Sequence, residues 1–155
     1  MAGAPLWVPT AEQIGAANLT RFLEGVGLST YDALYRWSVE ELEEFWSAVW
    51  RFCGVRAGAR DGREPWDQVL VGRERVAPPD PERGPRWFVG ARLNFAENLL
   101  RFRDDRPAIV FWNEQGRQRS LTYAQLAEEA GQFAAGLRNA GVGKGDRVAG
   151  FMPNI

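Results

Sequence analysis

Apolar residues recur at helical spacing in two places along this 155-residue chain. Leu42, Phe45, Trp46, Val49, Trp50 and Cys53 line up into one broad stripe on a 3.6-residue period. The spacing predicts a helix over Val39–Cys53, starting at Ser38 with Glu41 as capping-box partner and ending at Gly54. Glu40, Glu41, Glu43 and Glu44 crowd its first turns, where the positive end of the helix dipole favours carboxylates. Leu126, Ala130, Phe133, Ala134 and Leu137 form a second stripe, led by Thr122 with Gln125 in the box position and ended by Gly141. Thr10 and Gln13 repeat the capping pattern ahead of a helix predicted to run to about Glu24, where Gly25 and Gly27 stop it.

The pattern shortens to a strand period after residue 107. Ala108–Trp112 and Arg117–Thr122 flank Asn113-Glu114-Gln115-Gly116, which predicts a hairpin with Gly116 at positive φ. A turn at Gly143-Lys144-Gly145-Asp146 then leads into a strand predicted over Arg147–Met152, with Pro153-Asn154 opening a turn into another helix. Between the two patterned regions, residues 54–90 collect Gly and Pro, including Pro78, Pro79, Pro81 and Pro85. This reads as a long irregular connection, partly extended. There is no internal repeat. A strand followed by a helix start is a βα unit, and parallel strands require crossover partners. The expectation is therefore the front portion of a larger α/β protein, cut as that unit begins.

Composition excludes several classes. With 45% hydrophobic residues, seven Trp and nine Phe, the chain has ample apolar area to bury and is not disordered as a whole. One cysteine, Cys53, forms no internal disulfide. The absence of histidine removes Ser-His-Asp and Cys-His catalysis and makes a structural zinc site untenable. No apolar run spans a bilayer, and Met1–Thr10 has no basic-then-apolar leader, so a reducing cytoplasmic location is expected. Charge divides the chain unevenly. Residues 1–50 carry two Arg against seven acids, residues 51–106 twelve Arg against nine acids, and residues 107–155 five basic against four acidic groups. The overall net charge of −1 argues against a nucleic-acid partner.

Four groups invite a chemical reading, and each has a plainer one. The Gly-rich turn around Lys144 departs from a phosphate loop, since Arg138 replaces the first Gly and Gly145 the Ser/Thr. It also departs from the dinucleotide pattern, with Asp146 in the third Gly position. A helix-to-strand turn accounts for it. Glu40–Glu44, Asp104-Asp105 and Glu128-Glu129 read as solvated charges, with Asp104-Asp105 in an exposed turn before Arg106-Pro107. Trp37, Trp46 and Trp50 could stack on a sugar or base, but at helical spacing Trp46 and Trp50 read as core anchors. The Arg residues between Arg51 and Arg106 are interspersed with acids and accompany no RNA-binding motif.

Several stretches together resemble the adenylate-forming acyl-CoA synthetases. They are Trp7-x-Pro9 with Thr20-Arg21-Phe22, and Tyr31-Asp32-Ala33-Leu34-Tyr35-x-Trp37-Ser38 leading into Phe45-Trp46 and Val49-Trp50. More specific is Trp87-Phe88-x-Gly90-Ala91-Arg92-Leu93-Asn94-Phe95-Ala96-Glu97-Asn98-Leu99-Leu100. Leu121-Thr122-Tyr123-x-x-Leu126, Gly145-Asp146-Arg147-Val148-Ala149 and Met152-Pro153-Asn154-Ile155 are shared widely in the superfamily. The continuation after Leu93-Asn94 is similar to the acetoacetate branch rather than the acetate or propionate branch, where Asn-Cys-Leu-Asp is typical.

The resemblance implies an α/β fold, with an N-terminal helical cap followed by the beginning of a large AMP-binding domain that is incomplete here. Residues 1–100 would be the helical and extended region, including the 54–90 connection, and residues 101–155 the start of the large domain. It implies an acid–CoA ligase using ATP, CoA and Mg²⁺, with acetoacetate as the small-molecule carboxylate and an acyl-adenylate intermediate. The family's phosphate loop, acyl pocket and catalytic lysine lie beyond the part this chain resembles, and Lys144 does not correspond to that lysine. No catalytic, cofactor-binding or metal-binding residue is therefore assigned within the 155 residues. Leu42, Phe45, Trp46 and Trp50 are expected to face the rest of the large domain as well as one another. The alternatives are an acetyl- or propionyl-CoA synthetase, or a non-catalytic interaction module derived from a ligase N-terminus.

Overall fold

A computed structural model describes residues 5–75 and 83–152. The chain divides into two compact units, Met1–Leu93 and Asn94–Ile155, each taken in turn below.

In the first unit, Thr10 caps α1 (Ala11–Ala16) with the reciprocal bonds its sequence predicts. Its hydroxyl accepts from Gln13 N–H at 3.2 Å, and its own N–H donates to Gln13 Oε1 at 2.8 Å. The helix predicted to reach about Glu24 is instead broken at Ala17, whose ψ of 141° is extended. The Thr20 hydroxyl donates to the Ile14 carbonyl at 2.5 Å, so a side chain takes up an acceptor that a continuous helix would give to its backbone. α2 (Asn18–Gly25) then ends on Gly27, where Leu28 N–H reaches back to the Leu23 carbonyl at 2.8 Å.

The helix predicted to start at Ser38 starts elsewhere. Ser38 lies inside α3 (Tyr31–Glu40), which Thr30 caps by accepting from Ala33 N–H at 3.2 Å. The Ser38 hydroxyl donates backward to the Tyr35 carbonyl at 2.7 Å rather than capping anything. The break falls three residues later, at Glu41 (φ −114°, ψ 63°), and α4 spans Leu42–Phe52 with no side-chain cap. Its C-terminal end is as the pattern predicts: Gly54 takes φ +59°, and Val55 N–H bonds the Trp50 carbonyl at 3.2 Å.

The stretch read as an irregular connection contains two strands, β1 (Gln68–Val71) and β2 (Arg86–Val89), paired antiparallel with Leu70 opposite Trp87. Four-residue apolar runs carry too little periodicity to separate strand from loop. The intervening chain is also too long to give a hairpin signal. The Pro78–Pro81 cluster lies outside the described residues.

Packing in this unit is carried by aromatic rings on both flanks of α4. Positions 45 and 52 are seven residues apart and share one flank, while positions 46 and 50 share another, rotated by roughly 100–140°. On the first flank, Phe22 meets Phe45 at 6.1 Å and Phe52 at 5.0 Å, and Phe45 meets Trp37 at 5.4 Å. On the second, Trp50 meets Trp66 at 5.0 Å and Phe88 at 4.5 Å, while Trp46 meets Trp87 at 5.9 Å. Phe22, Leu34 and Trp66 are buried. Ser47, also buried, satisfies its hydroxyl on the Glu43 carbonyl at 2.6 Å. Of the two tryptophans expected to be core anchors, Trp50 is half-buried against Trp66 and Phe88, and Trp46 remains 40% exposed.

In the second unit, Asn94 caps the short α5 (Phe95–Leu99), accepting from Glu97 N–H at 3.1 Å. β3 (Pro107–Asn113) and β4 (Gly116–Thr122) form the expected hairpin, with Gly116 at φ +100° and Asn113 Oδ1 accepting from Gln115 N–H at 2.9 Å. Thr122 and Gln125 close the predicted capping box on α6 (Tyr123–Asn139), and Gly141 ends it. Phe133 departs from the predicted stripe. It is 67% exposed, and the buried position is Ala127. The strand predicted over Arg147–Met152 is absent. An extended segment becomes a strand only when a neighbour accepts its hydrogen bonds, and no strand of the described residues does so. The helix start at Pro153-Asn154 lies outside the described residues. All strand pairing here is antiparallel, so the anticipated parallel βα unit is not formed by these residues.

Candidate functional site

Each group singled out from sequence has a definite local setting. At the Lys144 turn, the Asp146 carboxylate accepts from Gly143 N–H at 2.7 Å, and Asp146 N–H donates to the Gly143 carbonyl at 3.2 Å. A phosphate would need that Gly143 N–H, so the turn stabilises itself rather than cradling an anion. The N-terminus of α6 is similarly committed. Tyr123 N–H donates to the Arg106 carbonyl at 3.1 Å and Ala124 N–H to the Asp104 carbonyl at 3.1 Å, while Thr122 Oγ1 takes Gln125 N–H at 3.2 Å.

Those carbonyls belong to the segment read as a simple exposed turn. It is exposed, and it is also a clamp. Arg106 donates to Asp104 through Nε (2.9 Å) and Nη2 (2.8 Å), and its backbone N–H adds a third bond at 3.0 Å. The Arg106 guanidinium lies 5.2 Å from the Phe102 ring centre and 5.6 Å from that of Tyr123. The side-chain bonds from Arg106 hold the Asp104 carboxyl below the usual carboxylate range, and Asp104 in turn raises Arg106. Sequence offered only the spacing Asp104-x-Arg106. The rings that complete the clamp converge by folding.

Two of the hollows in the first unit bear on the residues singled out above. One, of about 410 Å³, is lined by Gly58, Arg60, Asp67, Gly90 and Arg92, among others. Arg60 Nη2 pairs with Asp67 Oδ1 at 2.7 Å, and Gly90 (φ +86°) makes room for that carboxylate. A Cβ on Gly90 would stand 2.3 Å from Asp67 Oδ2. Gly90 belongs to the segment most similar to the acyl-CoA synthetases, and its role here is to admit the ion pair. The other hollow, of about 340 Å³, is lined by Trp46, Trp87 and Phe88. Phe88 carries a left-handed backbone (φ +46°) that only a tertiary constraint sustains in an aromatic residue, and its ring is held by Trp50 and Trp66. Sequence reading missed Trp66, Arg60 and Asp67. Their partners are remote along the chain, and no local spacing announces them. Among the described residues no three His, Cys, Asp or Glu side chains gather to hold a metal ion. Nor is any helix long and apolar enough to cross a membrane.

Residues 31–99 match the family described as acetyl-coenzyme A synthetase N-terminus, and residues 95–155 match the family of AMP-binding enzymes. Together these two matches show the chain to be similar to the AMP-binding acyl-CoA synthetases. Within that class it is homologous to the N-terminal part of acetoacetyl-CoA synthetases. It is 35% identical to the acetoacetyl-CoA synthetase of Macaca fascicularis and 36% to that of Rhizobium meliloti (strain 1021), over 96% and 97% of this chain. The solved acetoacetyl-CoA synthetase from Streptomyces lividans is 38% identical, with a TM-score of 0.75 over 99% of this chain and 23% of that one. The chain spans about 22% of the length of the curated relatives it matches. The branch assignment read from Gly90–Leu100 is borne out.

Proposed function

We propose that this chain is the N-terminal part of an ATP-dependent acid–CoA ligase that makes acetoacetyl-CoA, AMP and pyrophosphate from acetoacetate, ATP and CoA. The observation that carries this reading is the 38% identity and TM-score of 0.75 across 99% of the chain to a solved acetoacetyl-CoA synthetase. A carboxylate is a poor acyl donor because its charge is delocalised over two oxygens. Attack of that carboxylate on the α-phosphorus of ATP expels pyrophosphate and leaves an acyl-adenylate. The CoA sulfur then attacks the acyl carbon, AMP leaves, and the thioester forms. Both transfers need positive groups arranged around developing charge, for which Mg²⁺ is the ordinary choice.

The described residues do not fit that role. The turn at Gly143–Asp146 and the N-terminus of α6 are occupied by their own chain, and no metal-holding group is assembled. In this reading both transfers belong to the parent polypeptide, and no catalytic role falls to the described residues. Its role is scaffolding. Residues 1–100 supply the helical and extended region, and residues 101–155 begin the AMP-binding domain, with the break falling between Leu93 and Arg101.

A second reading follows from the family match at residues 31–99, whose description names acetyl-CoA synthetase: the acid would be acetate. ATP–pyrophosphate exchange by the parent polypeptide separates them. Exchange should be faster with acetoacetate than with acetate, and the reverse order overturns the acetoacetate assignment. The 155-residue chain alone should form no thioester from acetoacetate, ATP and CoA, and turnover by it would sink the scaffold reading.

A further inference from the structure

Arg60, Asp67 and Arg92 come from three stretches of the first unit and line one hollow of about 410 Å³ together with Gly58 and Gly90. Backbone bonds pin its walls. Gly58 N–H donates to the Arg92 carbonyl at 2.9 Å, and Asp67 N–H donates to the Val89 carbonyl at 2.8 Å. The three stretches are thus held to one another without help from a ligand.

The charged side chains differ in how far they are committed. Arg60 Nη2 donates to Asp67 Oδ1 at 2.7 Å, and a Cβ on Gly90 would stand 3.3 Å from Arg60 Nη1. The glycine therefore lets the guanidinium lie against the backbone, with the rest of its N–H fork unused among the described residues. Arg92 makes no side-chain hydrogen bond or ion pair within the described residues. An exposed pair such as Arg60–Asp67 stabilises a fold little. What it does is fix where one guanidinium points.

Charge selects the ligand. The two guanidiniums contribute +2 and the Asp67 carboxylate −1, leaving the hollow at +1. Asp61 and Arg63, which line a neighbouring hollow with Arg60, cancel each other. A monoanion neutralises that charge. A phosphate group, at about −1.5 to −2 near neutral pH, overshoots it beside the Asp67 carboxylate. A carboxylate also matches the guanidinium fork through two parallel N–H···O bonds.

We propose that this hollow is a binding site for small monocarboxylates, with Arg92 holding the carboxylate oxygens and Arg60 adding a second cationic contact. Its volume leaves room for a short acyl chain beyond the carboxylate. The site does not depend on which acid the parent enzyme activates.

The test is arginine modification by phenylglyoxal, resolved residue by residue with peptide mass spectrometry, on the 155-residue chain and on the parent polypeptide. Acetate should protect Arg92 and Arg60 in both, while Arg36 and Arg63 react as before. Sodium chloride at equal ionic strength should protect neither, and inorganic phosphate should require a higher concentration than acetate. Arg60→Gln should raise the half-protecting acetate concentration at Arg92 about tenfold, the effect of losing one charge-assisted contact. Asp67→Asn takes the hollow from +1 to +2 and should turn its preference toward phosphate. Arg92 left unprotected by acetate in either polypeptide, phosphate protecting at the lower concentration, or an unchanged preference in Asp67→Asn would each overturn the proposal. So would an Arg92 that reacts in the 155-residue chain but is already blocked in the parent without acetate, since the parent's own sequence would then fill the hollow.

Discussion

The two units are held together by different physics. In the first, remote aromatic side chains meet across α4, and Trp66 and Phe22 are each buried against rings from two other segments. In the second, the order is backbone order. A hairpin, a capping box, and the Asp104 and Arg106 carbonyls on the first N–H groups of α6 define it, with Ala127 its only buried hydrophobic residue among those described. The difference teaches that a stretch can adopt its secondary structure from local signals alone while its apolar face remains unfinished. Phe133, Trp112 and Val110 are exposed because nothing in this unit covers them.

The largest expected effect strikes the side-chain core. Trp66→Ala removes the ring shared by Trp50 and Phe88, and should cost the first unit about 3–5 kcal/mol in denaturant unfolding. A cost below about 1 kcal/mol would show that the aromatic cluster is not what stabilises this unit. Next comes Gly90→Ala, which combines a left-handed backbone with a 2.3 Å approach to Asp67 Oδ2. It should cost about 1–3 kcal/mol. Part of that loss should be recovered in Gly90→Ala/Asp67→Ala, since the second change removes the clash but not the φ. No recovery would mean that backbone strain alone explains the glycine.

Smaller effects probe the second unit. Thr122→Ala breaks the capping box and should cost about 1 kcal/mol, seen as faster amide exchange in the first turn of α6. Smallest is the pH response of the Asp104–Arg106 clamp, which is fully exposed. Because the folded Asp104 pKa is lowered, the clamp contributes above the unfolded carboxylate value of about 3.9. Its contribution is lost as pH falls through the depressed folded value. Arg106→Gln should return the Asp104 titration, followed by NMR, to the ordinary carboxylate range. An unchanged titration would refute Arg106 as its cause.

Local chemistry was legible residue by residue. Thr10–Gln13 and Thr122–Gln125 cap as written, Gly54, Gly116 and Gly141 take the backbone their positions require, and the Ala108–Thr122 hairpin forms. Ser38 misled because Ser-x-x-Glu is a capping box only where a helix begins, and Thr30 had already begun one. β1 and β2 were invisible because each is defined by the other, across a connection longer than any turn signal reaches. Arg147–Met152 was over-read for the complementary reason: strand propensity without a neighbour makes no strand.

The sequence by itself determined the helix starts at Thr10 and Thr122, the helix ends at Gly54 and Gly141, the hairpin and its turn, and, through the Gly90–Leu100 segment, the family to which the chain is related. Tertiary structure alone decided that Trp50 is half-buried against Trp66 and Phe88 while Trp46 is left open, that Gly90 lies against the Arg60–Asp67 ion pair, and that Arg106 sits against two rings. The reason is range. Caps and turns are settled by hydrogen bonds over three to five residues, whereas burial is settled by which distant surfaces arrive.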